Sequence, residues 1–520
     1  MRGKIFRPIN MGGATALIAI TSFFSYAIGL VRDRIIATNF GTTTATDTYN
    51  ASFLVPDIIF NMFIAGALTA AFLPMFTEYL IKDRQKAYRL ANTMLTGASL
   101  LIVGLAVIAF IFMGKIVPVI FTTATPEMQE SIINMTRLML PSAILFAISN
   151  TLGNILMSYK HFVSYAISPI LYNLGIILGV IFLSKSIGIY SAAAGVLIGA
   201  TLHCAIRIID TKMTEYRFKP SLDTSDPAFR KIIKLMIPKS ISLIAWQINL
   251  YIFAIMGIRL MEGGLAAFNF ARNIQSFAVS LFGIAFATAV FPYLTTSVSV
   301  NDRLSYTSHV QKNIQRILFF TIPAAVGVML LAVPLVDLIL SGGVFDEKSI
   351  HLTSIILFYF GISIPFESLS HIFARAFYAL KNTVTPMIVN VISLAFIAII
   401  TIFVAPRYGI QWFSIGFTLG FILYTTLMTI LLRKHLEGFK LKSFSVSIAK
   451  TLIATGIMAI FILITTPLEN VMAAKLAYVL RIFIGAGSFF LTAFLLKSPE
   501  ISSVNYILNR VFKKSTYEKP

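Results

Sequence analysis

Apolar runs long enough to cross a bilayer follow one another along almost the whole of this chain, parted only by short polar loops. They lie near residues 11–39, 45–80, 90–121, 130–158, 162–184 and 189–210, then 235–259, 264–297, 315–340, 350–379, 384–405 and 410–432, and finally 446–466 and 472–496. A spanning helix needs about 20 apolar residues. In lipid every backbone N–H and C=O must be satisfied internally, which leaves helices and closed barrels as the spanning forms. Runs this long and continuous favour helices, so the expected fold is an all-α polytopic membrane protein of about 14 transmembrane helices. Composition agrees: 57% of residues are hydrophobic and 12% charged, against roughly 25% charged in soluble domains.

The longest hydrophilic stretch, TKMTEYRFKPSLDTSDPAFRKIIK, follows the sixth run. It divides the chain into a six-helix lobe (1–212), a linker (213–234), a second six-helix lobe (235–436) and a final pair of spans with a basic tail (437–520). The opening MRGKIFRPIN has the look of a signal peptide, but the apolar run behind it is too long and lacks an A-x-A-like cleavage site, so it reads as the first span.

The net charge of +21 is distributed by loop. Arg2, Lys4 and Arg7 precede span one; Lys82, Arg84, Lys86 and Arg89 follow span two; Lys160 follows span four; Arg207, Lys212, Arg217, Lys219, Arg230 and Lys231 mark the linker region. Arg303, Lys312, Lys381, the cluster Arg433, Lys434, Lys440 and Lys442, and Arg510, Lys513 and Lys514 continue the series, whereas loops such as GTTTAT and FTTATPE carry neither Lys nor Arg. The positive-inside rule therefore puts both termini and the linker in the cytoplasm. Without an aromatic-interleaved basic patch, this charge does not point to nucleic acid.

The two halves repeat. SPILYN followed by GIYSAAAGVLIG is matched by TPMIVN followed by GIQWFSIGFTLG, pairing Pro169 with Pro386, Asn173 with Asn390, Gly188 with Gly409, Gly195 with Gly416 and Gly199 with Gly420. AAFLPMFT and TAVFPYLT pair Pro74 with Pro292. The offsets are 217 (386 − 169), 221 (409 − 188) and 218 (292 − 74). Six spans separate equivalent positions, so the copies are expected in parallel orientation about an axis along the membrane normal, with a site between them. Each glycine alone reads first as a close-packing residue.

Enzymatic constellations are missing: there is no G-x-S-x-G, H-E-x-x-H, Walker A or paired-cysteine spacing, and the six histidines are scattered. No catalysis, metal or other cofactor is expected. The single cysteine, Cys204, excludes an intramolecular disulfide, and with His203 it reads as packing. An ionisable side chain inside a span is costly and is expected to face a bundle interior or water-filled cavity. The richest stretch is GLVRDRIIATNFG, with Arg32, Asp33 and Arg34, followed by Asp47 and Asp57. At about 100° per residue, Arg32 and Arg34 point to different faces. One reading makes Arg32 a phosphate-binding cation held or gated by Asp33 and Asp47; the other makes the cluster a structural salt-bridge network or interfacial anchor. On spacing alone the two stand level. Arg272, flanked by apolar residues, reads as a second cavity cation or as a partner of Glu262, whereas Arg137 and Arg375 are expected near helix ends.

The segment GLVRDRIIATNFGTTTATDTYNASFLVPDIIFNMFIAGALTAAFLPMFTEY resembles the opening signature of the MurJ (MviN-like) flippase family of the multidrug/oligosaccharidyl-lipid/polysaccharide exporter superfamily. It carries Arg32 and Asp33, Phe40 and Gly41, Thr46 and Asp47, Pro56, Gly66 and Ala67, and Pro74 in the family's order. FNFARNIQSFAVSLFGIAFATAVFPYLT is similar to the family's eighth span. The resemblance implies two six-helix lobes in a V, with spans 13 and 14 forming a groove for a lipid tail. It further implies a monomeric flippase of the bacterial plasma (inner) membrane that meets membrane lipids and moves lipid II to the outer leaflet by alternating access, with Arg32, Asp33, Asp47, Arg272 and Asn273 toward the substrate. The chain departs from the family at Tyr26, Phe60, Asn61 and Asn273, where arginine or other basic residues are usual. Asn390 has no acidic residue beside it to complete the sodium site of some relatives, so ion coupling is not expected.

Overall fold

The computed structural model describes residues 11–63 and 67–501. The basic residues at both ends and Gly66 of the signature lie outside the described residues. Among those described, the regular elements are helices, with one isolated antiparallel bridge between Gly342 and Phe345. In chain order they are α1 (Met11–Phe40), α2 (Thr44–Ser52), α3 (Leu54–Phe63), α4 (Ala67–Lys82), α5 (Arg84–Ile120), α6 (Pro126–Ser158), α7 (Val163–Ile187), α8 (Tyr190–Thr211), α9 (Pro227–Leu260) and α10 (Gly264–Ala278). A π-helical turn, Val279–Ile284, joins α10 to α11 (Ala285–Ser299). There follow α12 (Arg303–Leu330), α13 (Ala332–Leu340), α14 (Glu347–Ala379), α15 (Val384–Phe403), α16 (Ala405–Tyr408), α17 (Gln411–Leu432), α18 (Leu441–Ile464) and α19 (Ala474–Leu495). Twelve helices among the described residues are long and apolar enough to cross a membrane. The first two expected spans correspond to α1 and to the run α2, α3 and α4. Large apolar side chains stand exposed on outer faces, among them Ile111, Val119 and Phe182, as lipid-facing positions require.

The second expected span, read as one continuous run, is broken between α2 and α3, and Pro56 accounts for that break. Proline has no N–H to give the carbonyl four residues back. That carbonyl, on Ser52, accepts instead from Thr136 Oγ1 of α6 at 3.2 Å, and the Leu54 carbonyl accepts from Tyr251 Oη of α9 at 3.0 Å. The freed Ser52 carbonyl is thus taken up by a neighbouring helix, which is how a broken helix persists away from water.

By contacts the chain divides into two compact units, residues 1–269 with 339–349 and 401–410, and residues 270–338 with 350–400 and 411–520. The first contains a core of Phe72, Phe76, Leu90, Met94, Ile155 and Tyr216 among others. The second contains, among the described residues, a cluster around Tyr306, Ile317, Phe373, Phe377 and Met428, and another that joins Phe319 to α18 and α19 through Met458, Ile462 and Phe489. Repeat-related glycines play matching local roles. In the first unit Gly195 and Gly199 of α8 lie against the backbone of α7, so that an added Cβ would fall 2.7 Å from Ile176 Cα and 2.3 Å from the Tyr172 carbonyl oxygen. In the second, Gly416 and Gly420 of α17 take the Ile400 and Ile397 side chains of α15.

Candidate substrate-binding site

Arg32 sits about three-quarters of the way along α1, beside α7. Its Nη2 forms an ion pair with Asp33 Oδ1 at 2.7 Å, its Nε donates to the same oxygen at 3.0 Å, and its Nη1 donates to Asn173 Oδ1 at 2.9 Å. Asn173 is held for this by its own amide, which donates to the Pro169 carbonyl one turn earlier at 3.1 Å. A guanidinium carries five N–H donors. Three are engaged here among the described residues, and the side chain remains 22% exposed. Arg34, as the helical spacing requires, points elsewhere and donates to the Ile339 carbonyl at 3.0 Å.

Asp47 has a different occupation. Its two carboxylate oxygens accept from the backbone N–H of Gly263 at 2.8 Å and of Ala266 at 2.7 Å, joining α2 to the start of α10. Those N–H groups have no carbonyl partner at a helix start, and a carboxylate also meets the favourable end of the helix dipole. Asp47 is only 2% exposed. Asp33 is therefore the partner of Arg32, and Asp47 is committed to backbone. Gly263 has φ +73°, and a Cβ there would meet the Thr42 carbonyl oxygen at 2.0 Å. The neighbouring Glu262 accepts from Thr44 N at 3.3 Å and Thr44 Oγ1 at 2.9 Å, bonds that hold its exposed carboxyl below the usual range.

In the second unit Arg272 is a paired cation. Its Nη2 and Nη1 reach the two oxygens of Glu367 on α14 at 2.6 and 3.0 Å, a bidentate fork, and Nη1 also donates to Gln275 Oε1. Gln275 Nε2 donates to Glu367 Oε2 at 2.8 Å and to Ser363 Oγ at 2.9 Å, while the guanidinium lies 4.7 Å from the Phe417 ring centre. The sequence offered Glu262 as an ion-pair partner of Arg272; the partner observed is Glu367. Asn273 is half-buried beside it on α10.

Other expectations shift as well. Arg207, counted with the linker charges, is buried in α8, donating to the Ser149 carbonyl at 2.9 Å, Asn150 Oδ1 at 3.0 Å and Ser168 Oγ at 3.1 Å. Arg137, expected near a helix end, lies in the fourth turn of α6 with its guanidinium 5.0 Å from the Phe110 ring centre. Arg375 does lie near the end of α14. Cys204 is buried, and His203 Nδ1 pairs with Ser149 Oγ at 2.8 Å. Among the described residues no group of three His, Cys, Asp or Glu is placed to hold a metal ion. Sequence reasoning passed over Glu367, although a carboxylate within the 350–379 apolar run was itself the signal of a polar interior contact.

The sequence model of the family described as lipid II flippase MurJ matches residues 36–484. A probable lipid II flippase MurJ of Rickettsia prowazekii is 28% identical over 382 residues, 73% of this chain and 75% of that protein. Its counterpart from Thermotoga maritima is 23% identical over 498 residues, 94% and 98% of the two chains. Among solved structures, a lipid II flippase MurJ in an inward closed conformation superposes with a TM-score of 0.79 at 24% identity, covering 94% of this chain and all of that one. An inward-facing multidrug resistance MATE transporter of the MOP superfamily gives 0.67 at 16% identity over 81% and 96%. At these identities the structural matches speak for a shared fold.

Proposed function

The chain belongs to the MurJ family of lipid II flippases, and from that premise we propose that it moves lipid II from the cytoplasmic to the outer leaflet of a bacterial plasma membrane by alternating access. It is a multi-pass membrane protein of a transporter family, and lipid II is the substrate the family implies. The observation that carries the reading to a residue is Arg32: a half-buried guanidinium, oriented by Asp33 and Asn173, with two N–H donors left over among the described residues. A diphosphate leaving water needs several charge-assisted hydrogen bonds, and a guanidinium offers them in a fixed fork. Asp33 is assigned the role of positioning Arg32, and Asp47 that of holding the α2 end in place. Arg272, with Asn273 beside it, enters as a second substrate contact once its bonds to Glu367 open. Spans 13 and 14, here α18 and α19, are assigned to the isoprenoid tail. The working form is a monomer with both termini and the linker cytoplasmic.

The test is complementation in cells depleted of their own lipid II flippase. Restored growth is expected from the wild-type chain; failure of a chain shown to be folded and inserted would refute the reading. Orientation has its own check: Ser225→Cys should resist an impermeant thiol reagent in intact cells, and rapid labelling would reverse the topology.

A further inference from the structure

The first unit contains a cavity of about 330 Å³ that no role above uses. Part of its wall is an aromatic cluster: Phe60 and Phe146 lie 5.6 Å apart between ring centres, and Phe146 is 5.2 Å from Tyr172 and 5.1 Å from His203. Into this wall is set one carboxylate, Asp57 of α3, the only acidic side chain among the lining residues. The backbone carbonyl of Asp57 accepts from Gln247 Nε2 at 3.3 Å. Its carboxylate has no hydrogen-bond or ion-pair partner among the described residues, unlike Asp33, Asp47 and Glu367. The nearby cations are already spoken for. Arg32 is paired with Asp33, and Arg207 gives its donors to Ser149, Asn150 and Ser168 from behind the cavity wall. His203 is tied to Ser149.

An unpaired carboxylate in a bundle interior is costly, and a bound cation offsets that cost. The lining selects which cation. Calcium and magnesium require about six oxygen ligands, whereas one carboxylate beside aromatic faces and the amide of Asn61 suits an alkylammonium, which combines a charge-assisted hydrogen bond with cation–π contact. The volume falls at the lower end of small-ligand sites, about 300–1,000 Å³. We propose that the Asp57 cavity is an ammonium-binding site that receives a primary amine. If the flippase reading holds, on which this identification of the ligand rests, that amine is the diamino-acid side chain of the lipid II stem peptide, while Arg32 takes the diphosphate. A free organic amine shares the chemistry and is the other source.

The experiment uses the full-length chain in nanodiscs and compares binding of lipid II, lipid II acetylated at the stem amine, and pentylammonium, to the wild type, Asp57→Asn and Asp57→Glu. Each variant is first checked by thermal melting. For the wild type, acetylation should weaken lipid II binding by about tenfold or more, the effect of one charge-assisted bond. Asp57→Asn should bind both forms alike, and Asp57→Glu should retain preference for the free amine. Asp57-dependent binding of pentylammonium without an effect of acetylation would support the site and assign it to a free amine. If folded Asp57→Asn binds all three ligands with wild-type affinities, the proposal is overturned. Arg32→Ala separates the two readings, since it should weaken both lipid II forms equally and leave pentylammonium binding unchanged. If lipid II does not bind the wild type, the flippase reading fails while the pentylammonium measurement still decides the site.

Discussion

Replacing Asp47 by asparagine keeps the size and shape of the side chain but turns one acceptor oxygen into an NH₂ group. In the folded chain both oxygens are in use, at 2.8 Å from Gly263 N and 2.7 Å from Ala266 N, and the residue is 2% exposed. One backbone N–H would then face a donor and lose its partner, and the other bond would lose its charge. A hydrogen bond to a charged group contributes about 1.5–3 kcal/mol, and an orphaned buried donor costs about 1–3 kcal/mol. These describe the same event from two sides, so the expected loss is about 2–3 kcal/mol rather than their sum. With about 2–4 °C of melting temperature per kcal/mol in domains of 150–250 residues, the variant should melt about 4–12 °C lower. The assay is thermal unfolding of the purified chain in detergent, read beside lipid II binding at a temperature where both proteins are folded. Stability should fall while affinity holds. Unchanged melting with weakened binding would refute the capping role and make Asp47 a substrate contact.

Gly263→Ala should destabilise the same junction at least as strongly, because the new Cβ meets the Thr42 carbonyl at 2.0 Å from a backbone with φ +73°; wild-type melting of this variant would contradict it. Arg272→Ala should cost about 3–5 kcal/mol by leaving the buried Glu367 carboxylate alone, whereas Arg272→Met combined with Glu367→Met should recover most of the folded yield, measured by size-exclusion chromatography. Failure of the double variant to recover would mean the pair does more than cancel charge. The Thr44 bonds lower the Glu262 pKa, so their small stabilisation is present above the ordinary carboxyl range and is lost as pH falls through the depressed folded value. Glu262→Gln should remove that part of the acid-side dependence, seen in melting curves across the mildly to strongly acidic range, and no change would assign the slope to other carboxylates.

How much of this was legible in the sequence depended on whether the cause was local. Apolar runs registered the spans because lipid demands that length and hydrophobicity within each segment separately. Arg32 and Arg34 diverge as the helical period requires. Pro56 was visible as part of the family signature, yet the break it causes was not, because the surrounding residues stay apolar and the break depends on Thr136 accommodating the freed Ser52 carbonyl. Asp47 was visible as an acid near a span, but its partners are backbone N–H groups 216 and 219 residues later, which carry no side-chain signature. The Arg272 and Glu367 fork crosses 95 residues, and no periodicity within either helix announces it. Arg207 was misread because a loop charge and a buried helix-end charge look alike until the carbonyls and hydroxyls around it are known.

The account turns on Arg32 as the phosphate contact, and the most direct test is lipid II affinity measured on purified, folded Arg32→Ala and Arg32→Lys proteins. Loss of a charge-assisted bond predicts a fall of about one to two decades for Arg32→Ala, with Arg32→Lys also impaired because an ammonium keeps the charge but not the fork. Wild-type affinity in folded Arg32→Ala, accompanied only by a lower melting temperature, would contradict the claim and leave Arg32 as a structural partner of Asp33 and Asn173.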